Sequence, residues 1–178
     1  ELLQNPSVIS ATISHTVPGE RFGLNGYRIE NDPPEKSYSM NVLYADDDFV
    51  KTLGMEVIAG RDFSREFATD TSAVLLNEAA ARLLGWNNPV GKRLLLQGNE
   101  TWRGTVVGVV KDFHFASLHH EIQPLVIHNA AYAQFLSVRI RAENLPATLA
   151  LIASEWRSFS PGQPLGFYFF SGRFYRPL

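Results

Sequence analysis

The chain contains no cysteine among its 178 residues. Disulfide scaffolds, zinc ribbons and thiol nucleophiles are excluded at once. The compartment stays open, because a core of this size needs no cross-links. Long apolar runs are also missing: no stretch approaches the roughly 20 residues that a bilayer span requires. Nor is there an excess of basic charge. The 16 Lys and Arg against 18 Asp and Glu leave a net charge of −2, whereas a nucleic-acid binder displaces counterions with a basic surface. No nucleic-acid partner is expected. Gly104 and Gly108 are not followed by the Gly-Lys-Ser/Thr of a phosphate loop, and no Gly-x-Ser-x-Gly elbow occurs. Asp46-Asp47-Asp48 lacks the glycine of a calcium loop. The expected cofactor complement is none. The chain starts at Glu1 without a signal peptide and stops at Phe174-Tyr175-Arg176-Pro177-Leu178. Both ends read as cut from something longer.

What is present is a mixture of period-two and period-3.6 patterns. Val8 to Ser14 alternates apolar with small polar residues, which predicts a strand. Tyr27 to Ile29 and Tyr38 to Tyr44 read as further strands. The three aspartates 46–48 sit where an Asp caps a short helix and acidic charge favours its first turn. Phe49 and Leu53 then share a face and Gly54 ends the helix. Met55 to Ala59 is extended. Near the other end Leu136, Val138 and Ile140 alternate with polar residues, and Pro146 suits the first turn of a helix. Leu149, Ile152, Ala153, Trp156 and Phe159 form one apolar stripe. Pro161-Gly162 ends it, and Leu165 to Phe170 predicts another strand. Two strand–helix–strand units, near 38–60 and 135–170, are the parts of a split βαβ sheet.

The middle has a different texture. Ala73 to Leu76 is a short strand, Asn77 caps a helix over Glu78 to Leu84, and Gly85 closes it. Runs at Leu94 to Leu96, Gly104 to Val110 and Leu125 to Ile127 are strands separated by loops. The expectation is an α+β fold in which one subdomain, 1–61 with 134–178, is interrupted by an inserted, mostly β subdomain at 62–133.

Three phrases then resemble a known family. Asp48 to Phe63, with Gly60-Arg61-Asp62-Phe63 at its end, is one. Val74 to Trp86 followed by Pro89-Val90-Gly91-Lys92 is the second, and Val106 to His119 the third. In this order, over nearly the whole chain, they resemble the periplasmic core domain of MacB/FtsX-family ABC-transporter permeases. The Lys111-Asp112-Phe113-His114 version is most similar to permeases of Bacteroidetes-type bacteria. The aromatic ending departs from the family's aspartate-rich phrase. The resemblance implies a Porter-like split βαβ subdomain interrupted by a Sabre-like one, held on the periplasmic side of the bacterial inner membrane. It implies no enzymatic activity in this chain, with ATP hydrolysis in a separate cytoplasmic ABC ATPase. It also implies a permease homodimer or heterodimer, relay of helix motion, and contact with an envelope protein or a peptide, antibiotic or lipoprotein-type substrate.

Lys111, Asp112, Phe113 and His114, with His119 and His120 beyond, form the one dense cluster of chemically capable residues. Asp and His are able to bind zinc or move protons, and Asp112 and His114 share a face if the strand continues that far. The spacing matches no established ligand pattern. The reading adopted is a strand end that packs a subdomain junction or meets a partner, with no metal and no catalytic residue. The alternatives are a free-standing periplasmic ligand-binding or adaptor domain and a metal-dependent hydrolase using Asp112, His114 and His119. The aromatic end, Phe167 to Phe170 with Phe174 and Tyr175, reads as a core strand running toward a membrane interface.

Overall fold

A computed structural model describes residues 2–115, 121–130, 132 and 134–169. The strands are β1 (Val8–Ser14), β2 (Gly23–Ile29), β3 (Tyr38–Ala45), β4 (Val57–Gly60), β5 (Ala73–Asn77), β6 (Arg93–Leu96), β7 (Asn99–Val110), β8 (Leu125–Asn129) and β9 (Phe135–Ile140). Helices are α1 (Phe49–Leu53), α2 (Glu78–Leu83) and α3 (Leu145–Phe159). All nine strands belong to one sheet. The path β2-β6-β7-β5-β8-β3 is closed by pairing of β2 with β3, so six strands form a ring. From this ring β1 leaves β3 through Ser14↔Ala45 and carries β9 on its other edge. The fold is α+β and dominated by its sheet.

Period-two patterning builds a core on each face of the ring. Val74 and Leu76 of β5 join Tyr27, Met40, Leu94, Val106 and Val126, one or more from each ring strand. Ala80, Leu84 and Trp86, from α2 and the turn after it, pack against this inner cluster. Ala73 and Leu75, pointing the other way, join Leu43, Phe49, Val50, Phe63, Phe113 and Ile127 outside. Each fully buried Leu or Phe contributes about 1.5–3 kcal/mol, so β5, buried at every position, is the shared wall of both cores.

The long strand β7 pairs with β6, β5 and β4 in turn, and glycine makes the last pairing feasible. Gly60 and Gly108 face each other across β4–β7. A Cβ at Gly108 would stand 2.2 Å from the Arg61 carbonyl oxygen, and one at Gly60 2.2 Å from that of Val107. Gly60 also adopts φ +69°, a conformation that side chains disfavour. Just beyond, Arg61 makes a two-pronged pair with Asp70, both contacts at 2.7 Å. The Arg61 guanidinium holds the Asp70 carboxyl below its ordinary range. The Gly-Arg-Asp-Phe phrase is thus a close backbone crossing followed by a charge clamp.

Several expectations change. Asp48 occupies the cap position of α1 without a side-chain bond, while Asp46 Oδ1 accepts from the Asp48 amide at 3.3 Å. Asp46 also accepts from Thr12 Oγ1 and from the Ile13 amide, and Asp47 and Asp48 hold Arg65 at 3.2 and 2.7 Å. A five-residue helix offers little dipole to complement, and the opposite charge of Arg65 lies in reach. β1 is a strand, but its buried positions include Ser10, Thr12 and Ser14, while Ile9 is half-exposed. Residues 165–169 form no strand, and Phe170 to Leu178 lie outside the described residues. α3 forms as its pattern predicts, with Pro146 in its first turn. Its stripe is not buried, however: Phe159 is 77% exposed, and Thr148 is the helix's buried residue. The stripe lines an open cleft of about 1630 Å³ together with β9, residues 52–56 and Lys111–His114.

Replacing Gly108 with Ala forces a methyl into the Arg61 carbonyl. We expect a loss of about 3 kcal/mol in urea unfolding, against less than about 0.5 kcal/mol for Gly166→Ala, where a Cβ meets nothing within 4 Å.

Candidate functional site

β7 ends at Val110, so Lys111 to His114 leave the strand and Asp112 and His114 do not share a strand face. The segment is nevertheless fixed on three sides. Lys111 donates its amide to the Glu56 carbonyl at 2.8 Å, and its ammonium lies 2.9 Å from the Glu56 carboxylate. The Phe113 and Phe115 rings are buried 5.5 Å apart in the outer cluster, with the Phe22 ring tilted against Phe115 at 4.6 Å. Gly19 donates to the Phe115 carbonyl at 2.8 Å. His114 is half-buried. His119 and His120 lie outside the described residues.

Asp112 joins this segment to α2. One carboxylate oxygen accepts from the Ala79 amide at 2.9 Å, in the first turn of the helix. The other lies 2.6 Å from the Arg82 guanidinium one turn later. The exchange is reciprocal, for Glu78 accepts from the Asp112 amide at 2.8 Å. A carboxylate at a helix start satisfies amides that have no partner within the helix and lies in the favourable end of its dipole. The same carboxylate raises the Arg82 guanidinium above its ordinary value.

Beneath it lies Asn77, fully buried. Its Oδ1 accepts from the Ala80 amide at 2.9 Å, which is the cap, and also from the Leu125 amide at 2.9 Å. Its Nδ2 donates to the Gln123 carbonyl at 2.9 Å. One amide side chain therefore ties the end of β5, the start of α2 and the approach to β8. The sequence pattern identified the cap alone. The signal for the rest is weak, since a strand–Asn–helix junction does not say which distant segment shares the amide.

Chemically, this arrangement holds chain segments together. Both oxygens of Asp112 are committed to α2, and the Lys111 ammonium is paired with Glu56. Among the described residues no group of three His, Asp or Glu side chains is arranged to hold a metal ion.

The comparisons agree with this shape. The sequence model of the MacB-like periplasmic core domain matches residues 3–155. The chain belongs to that family. Membership places it on the periplasmic side of a MacB-like ABC-transporter permease. No helix among the described residues is long and apolar enough to cross a membrane. The periplasmic region of MacB from Actinobacillus actinomycetemcomitans superposes with a TM-score of 0.64 at 16% identity, covering 89% of this chain and 70% of that one. A domain of a putative permease from Porphyromonas gingivalis gives 0.61 at 24% identity, with 86% and 71% covered. The extracellular domain of the transporter YknZ from Gram-positive bacteria gives 0.64 at 16%, with 91% and 81% covered. At these identities the likeness is one of fold. No curated protein matches the chain.

The MacB-like core domain should depend on Asn77 far more than on the Arg82 pair above it. Asn77→Ala removes the cap and leaves the buried Leu125 amide without its Asn77 partner, for a loss of about 3 kcal/mol in chemical denaturation. Arg82→Ala breaks a pair whose cation is 63% exposed, and should cost about 0.5 kcal/mol.

Proposed function

We propose that this domain relays movement of its parent permease's membrane helices into the periplasm and contacts a substrate or envelope partner there. It does so as a stiff body, with the chemistry of ATP hydrolysis left to a separate cytoplasmic ABC ATPase. The reading includes two units, 1–61 with 134–178 and the insert 62–133, meeting at Lys111, Asp112, Phe113 and His114. It also includes a permease dimer and a peptide, antibiotic or lipoprotein-type cargo.

The observation that carries the proposal is the interlock at the junction. Asp112 and Asn77 spend every polar contact described above on joining segments, even though Asp112 also lines the open cleft. Strands of the two units are moreover hydrogen-bonded to each other. β3 lies parallel to β8 over Asn41↔Leu125 to Ala45↔Asn129, and β2 pairs with β6 over Tyr27↔Leu96 to Ile29↔Leu94. A body held by two such ladders transmits a push without absorbing it. Pivoting of packed bodies about an interface is a common way to pass on a conformational change.

The test uses the complete permease with its ATPase in lipid, spin-labelled at exposed Arg65 and Arg103. Pulsed dipolar spectroscopy between the two copies should report distances that shift by several ångströms between the nucleotide-free and ATP-bound states. Within one copy the Arg65–Arg103 distance should stay fixed. Distances between copies that ignore nucleotide would sink the relay reading.

A further inference from the structure

The inner core of the ring contains a titratable side chain that the proposed relay does not use. His128, on β8, is 5% exposed. Its Nε2 lies 2.7 Å from the Tyr27 hydroxyl, which reaches it from β2. Three rings surround it: Tyr44 of β3 and Trp102 of β7, each with centroids 4.9 Å away, and Tyr27 at 5.9 Å. On β5 the residue opposite is Val74. The titratable neighbours are Tyr27, Tyr44 and, behind Tyr44, His15, whose ring stands 5.3 Å from the Tyr44 ring. Trp102 and Val74 bring no charge, and no carboxylate contributes to the environment of His128 among the described residues.

Such a site holds a neutral imidazole well and an imidazolium badly. Burial pushes His128 down to about 4, with the charge of His15 adding in the same direction, and burial pulls His15 down as well. Burial likewise pushes the Tyr27 phenol up, so it stays a hydroxyl and cannot supply a counter-charge. A cation here gains water only if part of the wall moves.

The part of the wall that Tyr27 belongs to is β2, paired with β3 over five residue pairs. It has one buried residue, Tyr27, and carries Gly23 and Gly26. It meets β6 over three residue pairs, and Trp102 sits on the neighbouring β6–β7 hairpin.

We propose that His128 is an acid-operated latch across the ring: protonation of its buried ring drives β2 and the Trp102 hairpin apart and admits water to the inner core. The sign follows from proton binding. The closed form resists protonation, so the open form takes up the proton, and opening becomes easier as pH falls from about 6.5 toward about 4. Above that window the latch is shut.

The experiment is an acid titration of the 178-residue chain by NMR, following the His128 ring and the amide exchange of Tyr27 together. The ring should stay neutral until the pH is well below an ordinary histidine's midpoint. Its protonation should coincide with a rise of at least about tenfold in Tyr27 exchange, beyond the intrinsic pH effect. His128→Gln, which has no proton to gain, should lack that rise. A ring that protonates with no change at Tyr27, or a His128→Gln protein with the same rise, overturns the proposal. Should the variant fail to fold, the wild-type ring titration alone decides.

Discussion

The hydrogen bonds of the Asn77 side chain lock together the last residue of β5, the first turn of α2 and the entry to β8, at the end of the β5–β8 ladder. β8 is the strand that joins β5 to β3, so its placement decides whether the sheet closes into a ring. A buried amide left without partners costs more than a satisfied one gains. That asymmetry is what makes the junction selective: a shifted register of β8 would strand Asn77 in an apolar core. Asp112 repeats the device one layer nearer the surface, with a helix amide and a guanidinium in place of the β8 backbone.

Closure then distributes the apolar residues. Because β5 is buried along its whole length, successive side chains supply opposite cores. The α2 side plugs the inner one, while α1, Phe63 and the 113–115 segment cover the outer one. β7 must serve three neighbours along twelve residues, and Gly108 is where the crossing is tightest. Stiffness in this domain therefore comes from a few obligatory contacts around β5 and β7, and the periphery is looser. α3 illustrates the contrast, with an apolar stripe left facing an open cleft.

Much of this was legible in the sequence because local periodicity and local chemistry set it. Strands β1, β3, β5 and β9 and all three helices form where their patterns put them, and Gly54 and Gly85 end α1 and α2 with positive φ as glycines do. The three family phrases correspond to physical features: the Gly60–Arg61 crossing, the Asn77 junction and the Asp112 segment. What could not be read was set by distant partners. Arg65 draws Asp47 and Asp48 away from capping. β2 runs longer than its apolar residues suggest because it borrows order from β3 and β6. The aromatic run at 165–169 has strand composition yet forms no strand. The ring itself leaves no local trace.

The central claim is that the described segments 111–115 and 121–125 belong to the rigid body and do not hang from it as loops. Native-state hydrogen exchange on the intact domain tests this directly. The account predicts that the Leu125 and Ala80 amides, both bonded to Asn77, exchange with the same free energy as Val74 to Leu76 in β5, through global unfolding. A Leu125 amide that exchanges by local opening while β5 stays protected would contradict it.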